Sequence, residues 1–181
     1  LANMGLCYEM KKEYNIALEY FTKNQDDSYA LSHIVDIYYK QHEEKKAFDI
    51  INKLIKDGKA NWFHYFVAGT VLGDDGKYDE AIIHLKKSLS LEESAKAFCQ
   101  LGWIYDKTER FDLAIIYYEK GLDKNILNAG ENYVARTNLG ADYYEIKEYE
   151  LALKNLEIAL ETNPKYVDAF YWKQRTYRSM G

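Results

Sequence analysis

The chain has 181 residues, 48% of them hydrophobic, with a formal net charge of −5, one proline and ten glycines. That apolar content excludes wholesale disorder and suits one ordinary domain or a short repeat array. The lack of turn residues excludes a β-rich fold, and the scattered Lys and Arg exclude a basic patch for nucleic acid.

In chain order, helices are predicted over 1–11, 14–24, 28–41, 44–57, 61–73, 78–90, 94–107, 111–124, 129–146, 149–162 and 166–180. The segments "GDDGK" at 73–77 and "DKTER" at 106–110 carry turn chemistry between them. The helices repeat. From Gly5, Tyr8 follows by three residues, Tyr14 by nine, Ala17 by twelve and Phe21 by sixteen. Gly69 gives Leu72, Tyr78, Ala81 and Leu85 at the same offsets. Gly102 gives Tyr105, Phe111, Ala114 and Tyr118, and Gly140 gives Tyr143, Tyr149, Ala152 and Leu156. A weaker copy reads Val35, Tyr38, Glu44, Ala47 and Ile51. Gly on one helix and Ala on the next allow close approach, so each unit is an antiparallel pair. One pair cannot cover its own apolar face, so pairs stack.

The segments "YFVAGTVLGDDGKYDEAIIHLKKSLSLEES", "AFCQLGWIYDKTERFDLAIIYYEKGL" and "RTNLGADYYEIKEYELALKNLEIALETNP" resemble tetratricopeptide repeats, the last with the closing Pro164. The resemblance covers nearly the whole chain. It implies an all-α, right-handed α-solenoid of about five helix–turn–helix repeats plus a C-terminal capping helix. Approximate repeat bounds are 1–27, 28–60, 61–93, 94–128 and 129–165, with the cap at 166–180. In the last helix Lys173 and Gln174 replace an apolar residue and the glycine. A cap needs such polarity, and a truncated sixth repeat is the alternative. Residues 1–181 read as one domain, a piece of a longer chain, because the sequence starts inside a repeat without Met.

The alanine spacings are 30, 34, 33 and 38 residues from Ala17 through Ala47, Ala81 and Ala114 to Ala152. The family period is about 34, and four residues is roughly one helical turn. The second helix of repeat one is therefore expected to be a turn short, ending near Asn24 before "QDDS". Repeat four's second helix or repeat five's first is expected to be a turn longer, around "KNILNAGENY".

No catalytic motif is present: no H-E-x-x-H, C-x-x-C, phosphate-binding loop or nucleophile elbow. His33, His42, His64 and His84 show no metal-ligand pairing, and "DDG" at 74–76 lacks the ligand pattern of a calcium loop. Cys7 and Cys99 lie far apart, which fits packing residues, a reducing compartment and a cytoplasmic location. No apolar run is long enough to span a membrane. No enzyme activity and no cofactor or metal are expected.

The resemblance implies that first helices line a concave groove. Reading one helical face gives Ala2, Asn3, Leu6 and Glu9; then Ser32, His33, Asp36 and Tyr39; then Phe66, Val67, Thr70 and Gly73. It continues with Cys99, Gln100, Trp103 and Asp106; Thr137, Asn138, Ala141 and Tyr144; and Tyr171, Trp172, Arg175 and Arg178. Some members of the family hold carboxylate-ending chaperone tails with Lys, Asn and Arg on this face. Asp36, Thr70 and Asp106 stand where such groups would be wanted, which disfavours that partner. Tyr39, Phe66 and Trp103 either anchor a partner or pack between neighbouring first helices. The reading is a non-catalytic scaffold for a peptide or protein segment, with no nucleic acid and no membrane. The alternatives are a regulatory or recruiting segment of a larger enzyme or transcription regulator, and a self-associating array.

Overall fold

A computed structural model describes residues 2–24, 27–124 and 127–181, with Ala2 through its backbone only. The parts of the expectations above that fall on Leu1, Gln25, Asp26, Asn125 and Ile126, and the side chain of Ala2, lie outside the described residues. Among the described residues there are eleven α-helices and no strand. They are α1 (Ala2–Met10), α2 (Tyr14–Phe21), α3 (Ser28–Lys40), α4 (Glu44–Lys56), α5 (Trp62–Asp74) and α6 (Tyr78–Leu91). Then come α7 (Ala95–Lys107), α8 (Phe111–Asp123), α9 (Ala129–Glu145), α10 (Tyr149–Thr162) and α11 (Val167–Met180). Described helix ends fall within three residues of the expected ones. Packing divides the chain into two compact units, Leu1–Leu91 with α1–α6 and Glu92–Gly181 with α7–α11.

Within each unit the repeat signature is what joins a pair. A Cβ built on Gly5 would lie 2.8 Å from the Phe21 ring, and one on Gly102 would lie 2.9 Å from the Tyr118 ring. On Gly69 it would lie 2.6 Å from Leu85 Cγ, and on Gly140 2.7 Å from Leu156 Cγ. The residue sixteen positions on thus fills the space that glycine leaves. Ala17, Ala47, Ala81, Ala114 and Ala152 are all fully buried beside these contacts. In the weaker copy Val35 occupies the glycine position and is itself buried, as is Ile51.

The two irregular spacings are visible as helix lengths. Helix α2 has 8 residues and ends in a 3-10 turn (Thr22–Asn24), whereas α4, α6, α8 and α10 have 13 or 14. Helix α9 has 17 residues where α3, α5 and α7 have 13. Counting from the glycine column, the extra turn is N-terminal, so it is repeat five's first helix that is longer. Asn128 and Glu131 close a capping box there, which satisfies donors that the first turn leaves free. Lys96 on α7 pairs with Glu131 at 2.9 Å and ties the added turn down.

Every first helix of α1, α3, α5, α7 and α9 ends alike. The residue seven after the glycine column is left-handed: Lys12 (φ 60°), His42 (φ 57°), Gly76 (φ 76°), Glu109 (φ 57°) and Lys147 (φ 66°). The next amide bonds back five residues to the carbonyl of Tyr8, Tyr38, Leu72, Tyr105 or Tyr143, at 2.8–2.9 Å. This is the Schellman closure, which favours glycine at the left-handed position. Only Gly76 supplies it; the others carry a Cβ there at about 1–2 kcal/mol each. Glu109→Gly and Lys147→Gly are each expected to raise unfolding stability by about 1 kcal/mol in urea melts. A loss of stability in both would show that the side chains hold these turns.

Candidate functional site

In the first unit the expected face is largely occupied by its own partners. Glu9 on α1 reaches two groups on α3, His33 Nδ1 at 2.8 Å and Lys40 Nζ at 2.9 Å, and Asp36 also pairs with Lys40 at 2.5 Å. Burial opposes the charge on Lys40, yet the bonds to Asp36 and Glu9 hold its pKa above the ordinary value. His33 stacks on Phe21 with centroids 5.1 Å apart. Tyr39 meets Phe63 and Phe66 edge-on at 5.1 and 5.8 Å, and Phe66 is only 5% exposed. The Thr70 hydroxyl donates to the Phe66 carbonyl at 3.1 Å. Packing between first helices therefore describes Phe66 and Val67, and largely Tyr39.

The second unit differs. Trp103 and Asp106 on α7 are half-buried, and Lys107 lies over the Trp103 ring at 5.9 Å and 3.7 Å from Asp106. Asn138 on α9 donates its amide to the Tyr118 hydroxyl at 3.1 Å, an oxygen that is otherwise buried in the pair. Burial pushes the Tyr118 hydroxyl well above its ordinary pKa. Cys99 packs against Gly121 of α8, and burial raises its thiol to about 12, which makes it a packing residue at neutral pH. On α11, Arg175 Nε donates to Tyr144 Oη at 3.2 Å while its guanidinium stands 4.8 Å from the Tyr144 ring and 5.0 Å from Trp172. Tyr171 is 56% exposed and completes this aromatic group against Trp172.

Sequence reasoning missed Asp142. This α9 residue is fully buried, and neither carboxylate oxygen has a hydrogen-bond partner. Burial first, then the Asp106 carboxylate, push it up to about 9. Two ionised carboxylates are both acceptors and cannot bond one another; a proton on Asp142 turns the contact into a bond to Asp106. The α8–α10 cleft of about 620 Å³ was also not foreseen. Its main polar groups satisfy each other, Tyr143 donating to Glu119 and Arg136 to Asn155. Among the described residues no group of three or more His, Cys, Asp or Glu is placed to hold a metal, and no helix is long and apolar enough to cross a membrane.

The tetratricopeptide repeat profile matches residues 65–94 and 95–123. A tetratricopeptide repeat-containing protein of Methanocaldococcus jannaschii is 28% identical over 171 residues, 87% of this chain and 29% of that protein. Residues 65–123 thus carry two tetratricopeptide repeats, and the chain is similar to tetratricopeptide repeat-containing proteins. It spans between 19% and 53% of the length of the curated relatives it matches. Among solved structures, YrrB, described as a tetratricopeptide protein with an unusual peptide-binding site, has a TM-score of 0.76 at 22% identity. That likeness covers 96% of this chain and 90% of YrrB. The first tetratricopeptide domain of Spaghetti (RPAP3), bound to the HSP90 peptide SRMEEVD, has a TM-score of 0.62 at 20% identity over 66% of this chain and 93% of that one. At these identities the likeness is one of fold, and the all-α helix-pair repeat is the tetratricopeptide fold.

Proposed function

We propose that the chain is a non-catalytic protein-interaction scaffold whose first-helix face takes a peptide or protein segment. One observation carries this reading. In the second unit, Trp103, Asp106, Tyr171 and Arg175 remain accessible, although the pairs beneath them are closed by the glycine columns. Aromatics and Arg supply most of the energy in protein interfaces. The peptide-bound state of the RPAP3 domain and the peptide site of YrrB support it by likeness of fold. Panning the protein against a displayed random dodecapeptide library is expected to select binders whose retention falls at least tenfold on Trp103→Ala combined with Tyr171→Ala. Selected peptides that ignore both substitutions would remove this face from the reading.

Self-association has its own observation. Helix α11 leaves Val167, Phe170, Tyr177 and Met180 between 45% and 74% exposed beside its charged residues. Apolar side chains in that number on one helix favour a second protein surface.

A further inference from the structure

Asp142 breaks the pattern of its own repeat. It stands two residues after Gly140, where the other copies have Cys7, Ile37, Val71 and Ile104. The position is buried at Ile37, Val71 and Ile104 and exposed only at Cys7 of the first pair, and Asp142 is 0% exposed with neither oxygen hydrogen-bonded. Leaving an acid in such a place is unfavourable unless something neutralises it. The groups that act on it are Asp106 and Lys107 of α7, Tyr118 of α8 and Glu145 of its own helix. The Tyr118 hydroxyl is already held by Asn138, and it offers no positive charge. Lys107 is the one cation among these groups, but its side chain is 47% exposed and stays 3.7 Å from Asp106. Asp106 itself is 28% exposed, so it is the member of the pair that meets solvent. Trp103 lies one helical turn before Asp106, half-buried, with Lys107 over its ring at 5.9 Å.

We infer that Asp106 and Asp142 together receive one Lys or Arg side chain of a protein partner, with its aliphatic stem laid on Trp103. The inference rests on the groove reading above and names the chemistry of what the groove accepts. A long, thin cationic side chain suits one partly exposed acid with a buried acid behind it. Arg can bond both carboxylates at once, and an alkyl stem on an indole removes apolar area from water. The cation takes the place of the proton on Asp142, which passes to the solvent as the complex forms. Binding is therefore coupled to the release of one proton near neutral pH, and it strengthens as the pH rises. This charge preference is the reverse of what SRMEEVD, with its three acidic residues, would demand.

The test uses the same dodecapeptide library, panned at pH 8 on the whole chain, and then the best selected peptide as the probe. The expected result is a Lys or Arg fixed at one position of the selected sequences. Asp106→Asn and Asp142→Asn should each weaken the probe at least tenfold while leaving the melting temperature unchanged or higher. Calorimetry in two buffers of different ionisation heat should show about one proton released per peptide by the wild type at pH 7 and none by Asp142→Asn. Selected peptides without a fixed cation, or Asn variants that bind within twofold of wild type, overturn the inference. If those same peptides are still lost on Trp103→Ala, the groove reading survives. If no peptide is retained, or Trp103→Ala retains all of them, both fall.

Discussion

Asp142→Asn is expected to stabilise the protein at pH 7 by up to about 4 kcal/mol and to have little effect at pH 4. The sign follows from the raised pKa. An unfolded Asp titrates near 3.8, whereas burial and the neighbouring Asp106 carboxylate lift Asp142 to about 9 in the fold. Between those values the native state binds the extra proton, so native stability falls as the pH rises from about 4 toward 9. At pH 7 roughly three units of that window have been crossed, and each is worth about 1.4 kcal/mol. Asn keeps the shape, removes the titration and can still donate its amide to Asp106. Urea melts at pH 4, 5.5, 7 and 8.5 check this, and the quantity to follow is the difference between variant and wild type. A difference that does not grow with pH would mean that Asp142 ionises in the fold at its ordinary value. A residue that lowers stability in the free chain is not explained by folding, which is why the stability result and the peptide result bear on each other.

Most of the helix framework was legible because it rests on spacing. Gly102, Tyr105, Ala114 and Tyr118 recur at fixed offsets because two helices can meet closely only where glycine faces a large side chain. The alanine intervals of 30 and 38 residues gave the short α2 and the long α9, since helices absorb length in whole turns. The left-handed closures were legible only at Gly76. At Lys12, His42, Glu109 and Lys147 nothing in the residue type announces φ > 0, and the hydrogen-bond geometry of the turn imposes it. The face was legible as a set of positions but not as a state. Phe66 and Trp103 sit on the same helical face, yet Phe66 is enclosed by Tyr39 and Phe63 and buried, whereas Trp103 is half-buried. How far neighbours cover each aromatic depends on side chains from other helices, and no local pattern carries that. Asp142 did leave a signal. A carboxylate in a column that otherwise reads Cys, Ile, Val and Ile is visible once the copies are aligned two residues past the glycine.

Gly69→Ala should destabilise the protein by about 2 kcal/mol, and it should cost less in a Leu85→Ala background than alone. Helix propensity alone predicts the opposite for the first change, a gain of about 1 kcal/mol inside a helix. Contact decides the sign. The new Cβ would stand 2.6 Å from Leu85 Cγ, 3.0 Å from Leu85 Cδ2 and 3.2 Å from the Ala81 carbonyl oxygen. Leu85 is fully buried at the centre of the α5–α6 pair, so the branch carbon cannot swing away as a side-chain tip would. The Ala81 oxygen belongs to the helix backbone and moves only if α6 moves. Alone, Leu85→Ala removes a buried side chain and should lose about 2–5 kcal/mol through the cavity it leaves. In the double variant the added methyl enters that cavity, so the two losses should fall short of their sum by more than about 1 kcal/mol. Gly140 with Leu156 repeats the geometry, its Cβ 2.7 Å from Leu156 Cγ and 3.1 Å from the Ala152 oxygen, and the same cycle there should give the same sign. Additive losses in both cycles would mean that the helix pairs take up the methyl by shifting apart, and the glycine column would then be a matter of backbone conformation rather than of close approach.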